Sequence, residues 1–248
     1  MGIKLVKFRN ISISLLIFAN TAYAQMSSGL PPINPKSGLK PTVAQTTQTK
    51  TIEILGQRVT FTNPSGYCTL GESARERDLM AMGKKSVSPG AQLVYAAILC
   101  SELDAFRTGR RETLDHWIQI QLIGPKGDFK RLEMGREAFL TGVSKGSPRL
   151  DTAKLNRQIQ SALGSPDVSL SNAQVVQLGR DGNAAYMSTR MTLNVGDSNR
   201  LITGLGGITL LNSLPLTVMV YEATGQAKSR EQLQPILQQL LTSLLTEN

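Results

Sequence analysis

The sequence predicts an α+β fold in which helices cover a largely antiparallel sheet. Apolar and polar residues alternate over residues 117–123 and again from 185 to 195, which is the periodicity of a β-strand. Near the C terminus, leucines and an isoleucine recur at helical spacing between residues 233 and 245. A length of 248 residues, with 40% hydrophobic and 18% charged residues, suits one ordinary globular core. The same composition excludes collagen, a coiled-coil rod and a disulfide-dense mini-protein.

The first 24 residues have the pattern of a secretory signal peptide. Three cations precede the apolar run 11–19, which is followed by Ala22-Tyr23-Ala24, a small-residue cleavage pattern. A membrane anchor is the alternative, but a bilayer-spanning helix needs about 20 apolar residues and this run is much shorter. We therefore expect export, cleavage after Ala24 and a mature chain that begins at Gln25, with no transmembrane segment after signal removal.

The charge of the chain limits the classes of partner. Loss of the three cations in the signal lowers the formal charge from +9 to +6. Export argues against a nucleic-acid partner and favours an envelope protein or an anionic envelope polymer. A basic surface without any partner is the alternative interpretation.

Residues 25–50 are predicted to form a disordered arm. They contain four prolines among Ser, Thr, Gln and Gly, and few large apolar side chains that could offset the entropy of ordering. The arm could instead be a tether or a segment that folds on a partner. Apolar content rises from Thr51, so residues 51–248 are predicted to be a single globular domain.

The first half of this domain is predicted to mix strands with one helix. Residues 52–62 suggest a strand that ends in a turn at Asn63-Pro64. Ser73 and Glu76 have capping-box spacing at the start of a helix that Gly83 would end. Residues 93–100 are continuously apolar, as in a strand covered on both faces. Residues 117–123 suggest a half-buried strand, separated from the previous one by the polar stretch 104–113.

The second half is predicted to contain two helices, a meander and a last helix. Residues 132–140 and 150–163 have helical patterns, and Asp151 can cap the second. Strands follow at 175–178, 185–195, 201–211 and 216–221, with turn residues between them. Ser229 and Gln232 supply the capping box of the final amphipathic helix, which we expect to pack on the meander.

Cys68 and Cys100 are the only cysteines, and both have apolar neighbours. In an oxidising compartment the natural inference is one structural disulfide, and two buried free thiols are the alternative. Their separation does not fit a Cys-x-x-Cys redox motif.

Three segments resemble the PsbP-type α/β/α sandwich of photosystem extrinsic proteins and their bacterial relatives. They are Asn63-Pro-Ser-Gly-Tyr67, Gly182-Asn-Ala-Ala-Tyr186 and Leu214-Pro-Leu-Thr-Val-Met-Val-Tyr221, the last followed by the amphipathic helix. The resemblance covers most of residues 51–245, and the helices of 132–163 are an addition to it. It implies a non-catalytic assembly or binding role and carries over no functional residue.

The catalytic candidates are weak. Gly142-Val-Ser144-Lys-Gly146 matches a nucleophile-elbow spacing, but it follows a predicted helix, and the only histidine, His116, lies upstream of Ser144. Ser37-Gly-Leu-Lys40 has Ser-x-x-Lys spacing but lies in the predicted arm. Asp115 and His116 are adjacent, and neighbouring residues of a strand point to opposite faces. One histidine and two paired cysteines provide too few ligands for zinc, and we expect no cofactor.

A stretch rich in arginine is the candidate partner-binding site. Phe106, Arg107, Arg110 and Arg111 combine an aromatic side chain with guanidinium groups that can hold carboxylates or phosphates. A solvated loop, neutralised by Asp104 and Glu112, is the alternative.

Taken together, these patterns predict an exported, non-catalytic binding or assembly factor of the bacterial envelope. The alternative is an envelope hydrolase whose active site is assembled from distant residues, with Asp115, His116 and Ser144 as candidates.

Overall fold

A computed structural model describes residues 48–88, 90–146, 151–163, 167–224 and 229–248. The predicted signal peptide, nearly all of the predicted arm and the Ser37–Lys40 spacing lie outside these residues. The strands are β1 (Thr49–Ile54), β2 (Gln57–Thr62), β3 (Tyr67–Thr69), β4 (Ala91–Leu99), β5 (His116–Ile123), β6 (Val168–Arg180), β7 (Ala185–Val195), β8 (Ser198–Leu211) and β9 (Leu214–Glu222). The α-helices are α1 (Ala74–Ser86), α2 (Cys100–Arg107), α3 (Arg136–Ser144), α4 (Thr152–Leu163) and α5 (Ser229–Thr246).

Seven strands form one antiparallel sheet in the order β3-β4-β5-β9-β8-β7-β6. The predicted α+β class with a largely antiparallel sheet covered by helices is therefore confirmed. The meander β6 to β9 follows chain order because each of its connections is short enough for a hairpin. No helix in the described parts of the chain combines the length and the apolar character needed to cross a membrane.

The first two strands form a separate hairpin rather than the single strand predicted over residues 52–62. Leu55 and Gly56 make the turn, with φ angles of 50° and 74°. Two successive positive φ angles are the geometry of a tight hairpin turn, which glycine adopts without strain. The apolar side chains lie at even positions before the turn (Ile52, Ile54) and at odd positions after it (Val59, Phe61), so the alternation changes phase there. The prediction of one strand did not take this change into account. Strand β1 also begins at Thr49, before the predicted domain boundary.

Both faces of the large sheet are covered. One face packs against α5 and the β1–β2 hairpin, through side chains such as Phe61, Leu237 and Leu241. The opposite face packs against α1, α2, α3 and α4, through side chains such as Leu79 and Phe139. Strand β5 lies between β4 and β9, so it is buried on both faces and not half-buried as predicted.

Local signals in the sequence account for the ends of two helices. The Ser73 hydroxyl accepts a hydrogen bond from the backbone N–H of Glu76 at 3.3 Å and caps α1, as predicted. Helix α1 continues beyond Gly83 and ends at Ser86. In the same way, Asp151 Oδ1 accepts from the Lys154 N–H at 2.9 Å and caps α4.

Two helices differ from the predictions. Helix α2 occupies residues predicted to be the end of a strand and a polar connection, because Leu103 and Phe106 lie one turn apart and are both buried. Helix α3 begins at Arg136 rather than at Leu132. The two helices are only 8 and 9 residues long, so the helical pattern in the sequence repeats over few turns and is faint.

The edge strand β6 is protected by a side chain of α4. The Asn156 amide donates to the Leu170 carbonyl at 3.0 Å and accepts from the Leu170 N–H at 2.7 Å. The side chain thus takes the place of a neighbouring strand at this position. It also fixes α4 to the sheet, which holds the outer face of that helix in a defined direction.

Cys68 in β3 and Cys100 at the start of α2 form the predicted disulfide. The bond joins an edge strand to the helix that follows the next strand, since β3 pairs with β4. It therefore fixes the position of α2 and of the charged residues that α2 carries.

Candidate functional site

Glu102 is the centre of a charged cluster at the junction of α2 and β5. It is 4% exposed, and its carboxylate accepts the N–H groups of Asp115 and His116 at 2.8 and 3.0 Å. The same carboxylate lies 2.6 Å from His116 Nδ1. The partner of the His116 ring is thus a residue fourteen positions earlier in the chain.

These contacts shift the pKa values of both partners in opposite directions. The hydrogen bond to Glu102 raises the pKa of His116 above its usual value, and the charges of Glu102, Glu222 and Asp115 add to the effect. Burial by itself raises the pKa of Glu102, but hydrogen bonds from His116 and the two N–H groups outweigh burial and hold this pKa below its usual value. The pair therefore favours a charged imidazolium beside a charged carboxylate.

Asp115 and Ser144, the other catalytic candidates, have other partners. The Asp115 carboxylate forms ion pairs with Arg111 and Arg200. The Ser144 hydroxyl donates to the Leu140 carbonyl at 2.8 Å within α3. The imidazole of His116 contacts Glu102. It does not pair with Asp115, the carboxylate next to it in the sequence.

The arginine-rich stretch folds into the end of α2 and the turn after it. Phe106 is 3% exposed, and the Arg75 guanidinium lies 4.7 Å from the centre of its ring. Arg110 donates to the Thr108 hydroxyl at 2.9 Å, and Arg111 belongs to the cluster around Glu102. The aromatic side chain predicted to anchor a partner is thus part of the core.

Arg107 binds a buried carboxylate of α1. Two of its nitrogens donate to Glu76 Oε1 at 3.0 and 2.8 Å. Burial raises the pKa of Glu76, but hydrogen bonds from Ser73, Gly71 and Arg107 reverse this effect and lower the pKa to about 2. Arg107 therefore joins α2 to α1 through a contact that stabilises the fold.

A different set of cations lines a cleft between α1 and α4. This α1–α4 cleft has a volume of about 480 Å³, and the described residues that line it are Lys85, Lys154, Arg157, Gln158 and Ser161. Lys85 belongs to the last turn of α1, and the other four belong to α4. The described lining of the cleft therefore carries three cations and two uncharged polar side chains.

The electrostatic character of the cleft differs from that of the cluster around Glu102. Within the described part of the chain, no ion pair involves Lys85, Lys154 or Arg157, and no carboxylate lines the cleft. Like charges that share a site without a counter-charge repel one another and attract an anion. This arrangement can bind carboxylates or phosphates, and Arg157 can do so through two parallel hydrogen bonds.

Sequence reasoning missed both groups for different reasons. The Glu102–His116 pair joins residues of α2 and β5, so no local pattern in the sequence predicts it. Lys154, Arg157, Gln158 and Ser161 follow helical spacing on α4, so their shared face was visible in the sequence. Lys85 could not be added to them without the tertiary structure.

Metal ligands do not cluster in the described residues, where no group of three or more His, Cys, Asp or Glu side chains is placed to hold an ion.

Comparison with known proteins gives little further information. No family model matches the chain, and no curated protein matches it. Among solved structures, the chain is similar to the Saccharomyces cerevisiae Ran-binding protein Mog1p, determined at 1.9 Å resolution, with 14% sequence identity. The similarity covers 82% of this chain and 94% of that chain at a TM-score of 0.30, which is too low to support an argument about function.

Proposed function

We propose that this protein is an exported, non-catalytic binding or assembly factor of the bacterial envelope that binds an anionic partner. The α1–α4 cleft carries the proposal, because it gathers three cations that form no ion pair within the described residues. The positive charge of the chain and its predicted leader support the same role. The resemblance to PsbP-type proteins stays a prediction, and the order of layers, with helices on both faces of the sheet, supports it.

The state of the buried carboxylates also supports a binding role. Glu76 pairs with Arg107, and Glu102 pairs with His116. Each of these buried carboxylates has its partner within the fold, and removal of that partner would leave a buried charge without compensation. The cations of the cleft form no ion pair within the described residues, so they remain available to a partner.

An envelope hydrolase is the second candidate, and the Glu102–His116 pair is the observation that favours it. A carboxylate that orients a histidine is a component of several hydrolytic sites. However, the raised pKa of His116 favours the imidazolium, which donates protons and cannot act as a general base. Turnover of peptidoglycan or ester substrates that is lost in His116→Ala would favour this second function.

Site-directed photocrosslinking in living bacteria tests the proposal. A photoreactive amino acid replaces Gln158 in the cleft, and the matched control carries it at Gln174, an exposed residue of β6. We expect a periplasmic protein that lacks residues 1–24, and a discrete crosslinked envelope species from position 158 that is absent from position 174. When Lys154→Gln is combined with the photoreactive residue at position 158, the yield of the crosslinked species should fall, because the change removes a positive charge from the cleft.

The same experiment can contradict the proposal in two ways. Full-length protein that stays with the cytosolic fraction would contradict export. Equal crosslinking from positions 158 and 174 would show that the cleft has no special role in binding.

A further inference from the structure

The outer face of α4 has a regular chemical pattern. Lys154, Arg157, Gln158 and Ser161 lie at positions i, i+3, i+4 and i+7, so they form one stripe along the helix. The opposite side of α4 is fixed to the core through Leu155 and Ile159, which are 3% and 0% exposed. The stripe therefore has a defined direction and faces the cleft that Lys85 closes from α1.

The stripe mixes two kinds of hydrogen-bonding group. Lysine and arginine side chains only donate, and they carry the charges that attract an anion. The side chains of glutamine and serine both donate and accept. A polypeptide with acidic residues offers the complementary set, because its carboxylates accept from cations while its backbone offers both N–H and C=O groups. A phosphate group offers acceptors and a charge but lacks the backbone donors.

The dimensions of the stripe set the size of the ligand. Lys154 and Ser161 are separated by two helical turns, or about 10 Å at about 1.5 Å per residue. An extended peptide advances about 3.3 Å per residue, so about three of its residues span that length. A short acidic segment therefore matches the stripe.

We propose that the α1–α4 cleft binds a short, extended, acidic polypeptide segment of a partner protein. Lys85, Lys154 and Arg157 pair with its carboxylates, and Gln158 and Ser161 bond to its backbone. This inference rests on the proposed function for its biological setting, and the binding itself can be measured apart from export.

Fluorescence anisotropy with the full chain and a labelled hexaglutamate peptide tests this inference, with hexaglutamine as the uncharged probe. We expect hexaglutamate to bind and hexaglutamine not to bind. The double variant Lys154→Gln/Arg157→Gln should weaken binding about tenfold or more, since it removes two charge-assisted hydrogen bonds. The control Arg190→Gln removes an exposed charge from β7, on the sheet face opposite α4, and should change affinity less than about twofold.

A second set of variants separates a peptide from a phosphate ligand. The double variant Gln158→Ala/Ser161→Ala should weaken hexaglutamate binding, because these side chains hold the peptide backbone. It should leave binding of polyphosphate nearly unchanged. Circular dichroism spectra and unfolding midpoints confirm that each variant is folded, so a loss of affinity reports on the cleft.

Three results would overturn the inference. Arg190→Gln could weaken hexaglutamate binding as much as the cleft variants do, which would indicate general surface charge. Wild-type protein could bind polyphosphate or phosphatidylglycerol vesicles through the cleft cations and fail to bind hexaglutamate. That result would show that the cleft binds phosphate groups. Hexaglutamate could also fail to bind at all. If hexaglutamate binds through the cleft but the protein stays in the cytosol, the inference stands and the proposed export fails.

Discussion

The Glu102–His116 pair makes the stability of the fold depend on pH at the scale of single residues. His116 has a raised pKa in the folded chain, so its contribution is fully present below its usual pKa of 6.5 and is lost as pH rises through the folded value. Glu102 has a lowered pKa, so its contribution is present above 4.5 and is lost as pH falls through the folded value. The pair therefore contributes its full stabilisation between pH 4.5 and pH 6.5, the usual pKa values of the two groups.

His116→Gln should destabilise the protein more in mild acid than in base. Glutamine keeps a hydrogen-bond donor near Glu102 but carries no charge at any pH. We expect a loss of about 1–3 kcal/mol in the free energy of unfolding at a pH of about 5.5. The loss should shrink as the pH rises past the folded pKa of His116. Urea unfolding of both proteins across this range measures the difference.

The composition of the chain provides an internal control for this experiment. His116 is the only histidine, and the two cysteines are joined. A change in stability near neutral pH that disappears in His116→Gln can therefore be assigned to this pair. Parallel pH profiles for the wild type and the variant would contradict the assignment.

At the scale of elements, Gly206 of β8 allows a close approach between strands. It lies opposite Met219 of β9, and a side chain at position 206 would overlap the Met219 sulfur. Met219 is completely buried, so the sulfur has little room to move. Position 206 therefore needs a glycine, because the Met219 side chain already fills the space that a larger residue would occupy.

Gly206→Ala should therefore lower the free energy of unfolding by about 1–3 kcal/mol through overpacking. Met219→Ala alone leaves a cavity and should cost about 2–5 kcal/mol. The double variant should lose less than the sum of the two, because each change relieves the defect of the other. Denaturant unfolding of the four proteins gives the coupling energy.

Gly182→Ala is the matched control for this cycle, since no atom lies near the place its new side chain would occupy. It should change stability by less than about 0.5 kcal/mol. Simple additivity of Gly206→Ala and Met219→Ala would show that the close approach does not limit the packing.

The elements that the sequence predicted well are those with a strong period and clear ends. Helix α5 has a long apolar stripe, and α4 has both a stripe and the Asp151 cap. Helix α2 was missed because its short apolar pattern lies directly after a strand. The burial of β5 on both faces depends on its neighbours β4 and β9, and a strand's own alternation does not contain that information.

At the scale of the whole molecule, the Cys68–Cys100 disulfide links two distant parts of the chain covalently. Its cysteines are 32 residues apart, so the bond restricts a long loop in the unfolded state. The double variant Cys68→Ala/Cys100→Ala should lower the free energy of unfolding by about 3–4 kcal/mol. Urea unfolding under oxidising conditions measures the change.

Reduced wild-type protein is the control for this comparison, and it should unfold at nearly the same urea concentration as the double variant. Equal stability of the oxidised and reduced wild type would contradict a stabilising role for the bond.

The candidate site was less accessible to sequence reasoning than the fold. The arginine-rich stretch drew attention because its charges are adjacent in the chain, yet Phe106 is buried and Arg107 holds Glu76. The α1–α4 cleft combines Lys85 with residues of a helix far along the chain. Adjacent charges in a sequence thus identify a candidate surface, while the availability of those charges depends on partners supplied by tertiary contacts.

The β1–β2 hairpin and the cleft lie on opposite sides of the large sheet. Residues before Thr49 enter the fold at the hairpin, on the side of α5, while α1 and α4 cover the other side. The sheet and the elements that cover it therefore separate the hairpin from the cleft. A ligand in the proposed cleft would therefore leave the side of the molecule formed by the hairpin and α5 uncovered.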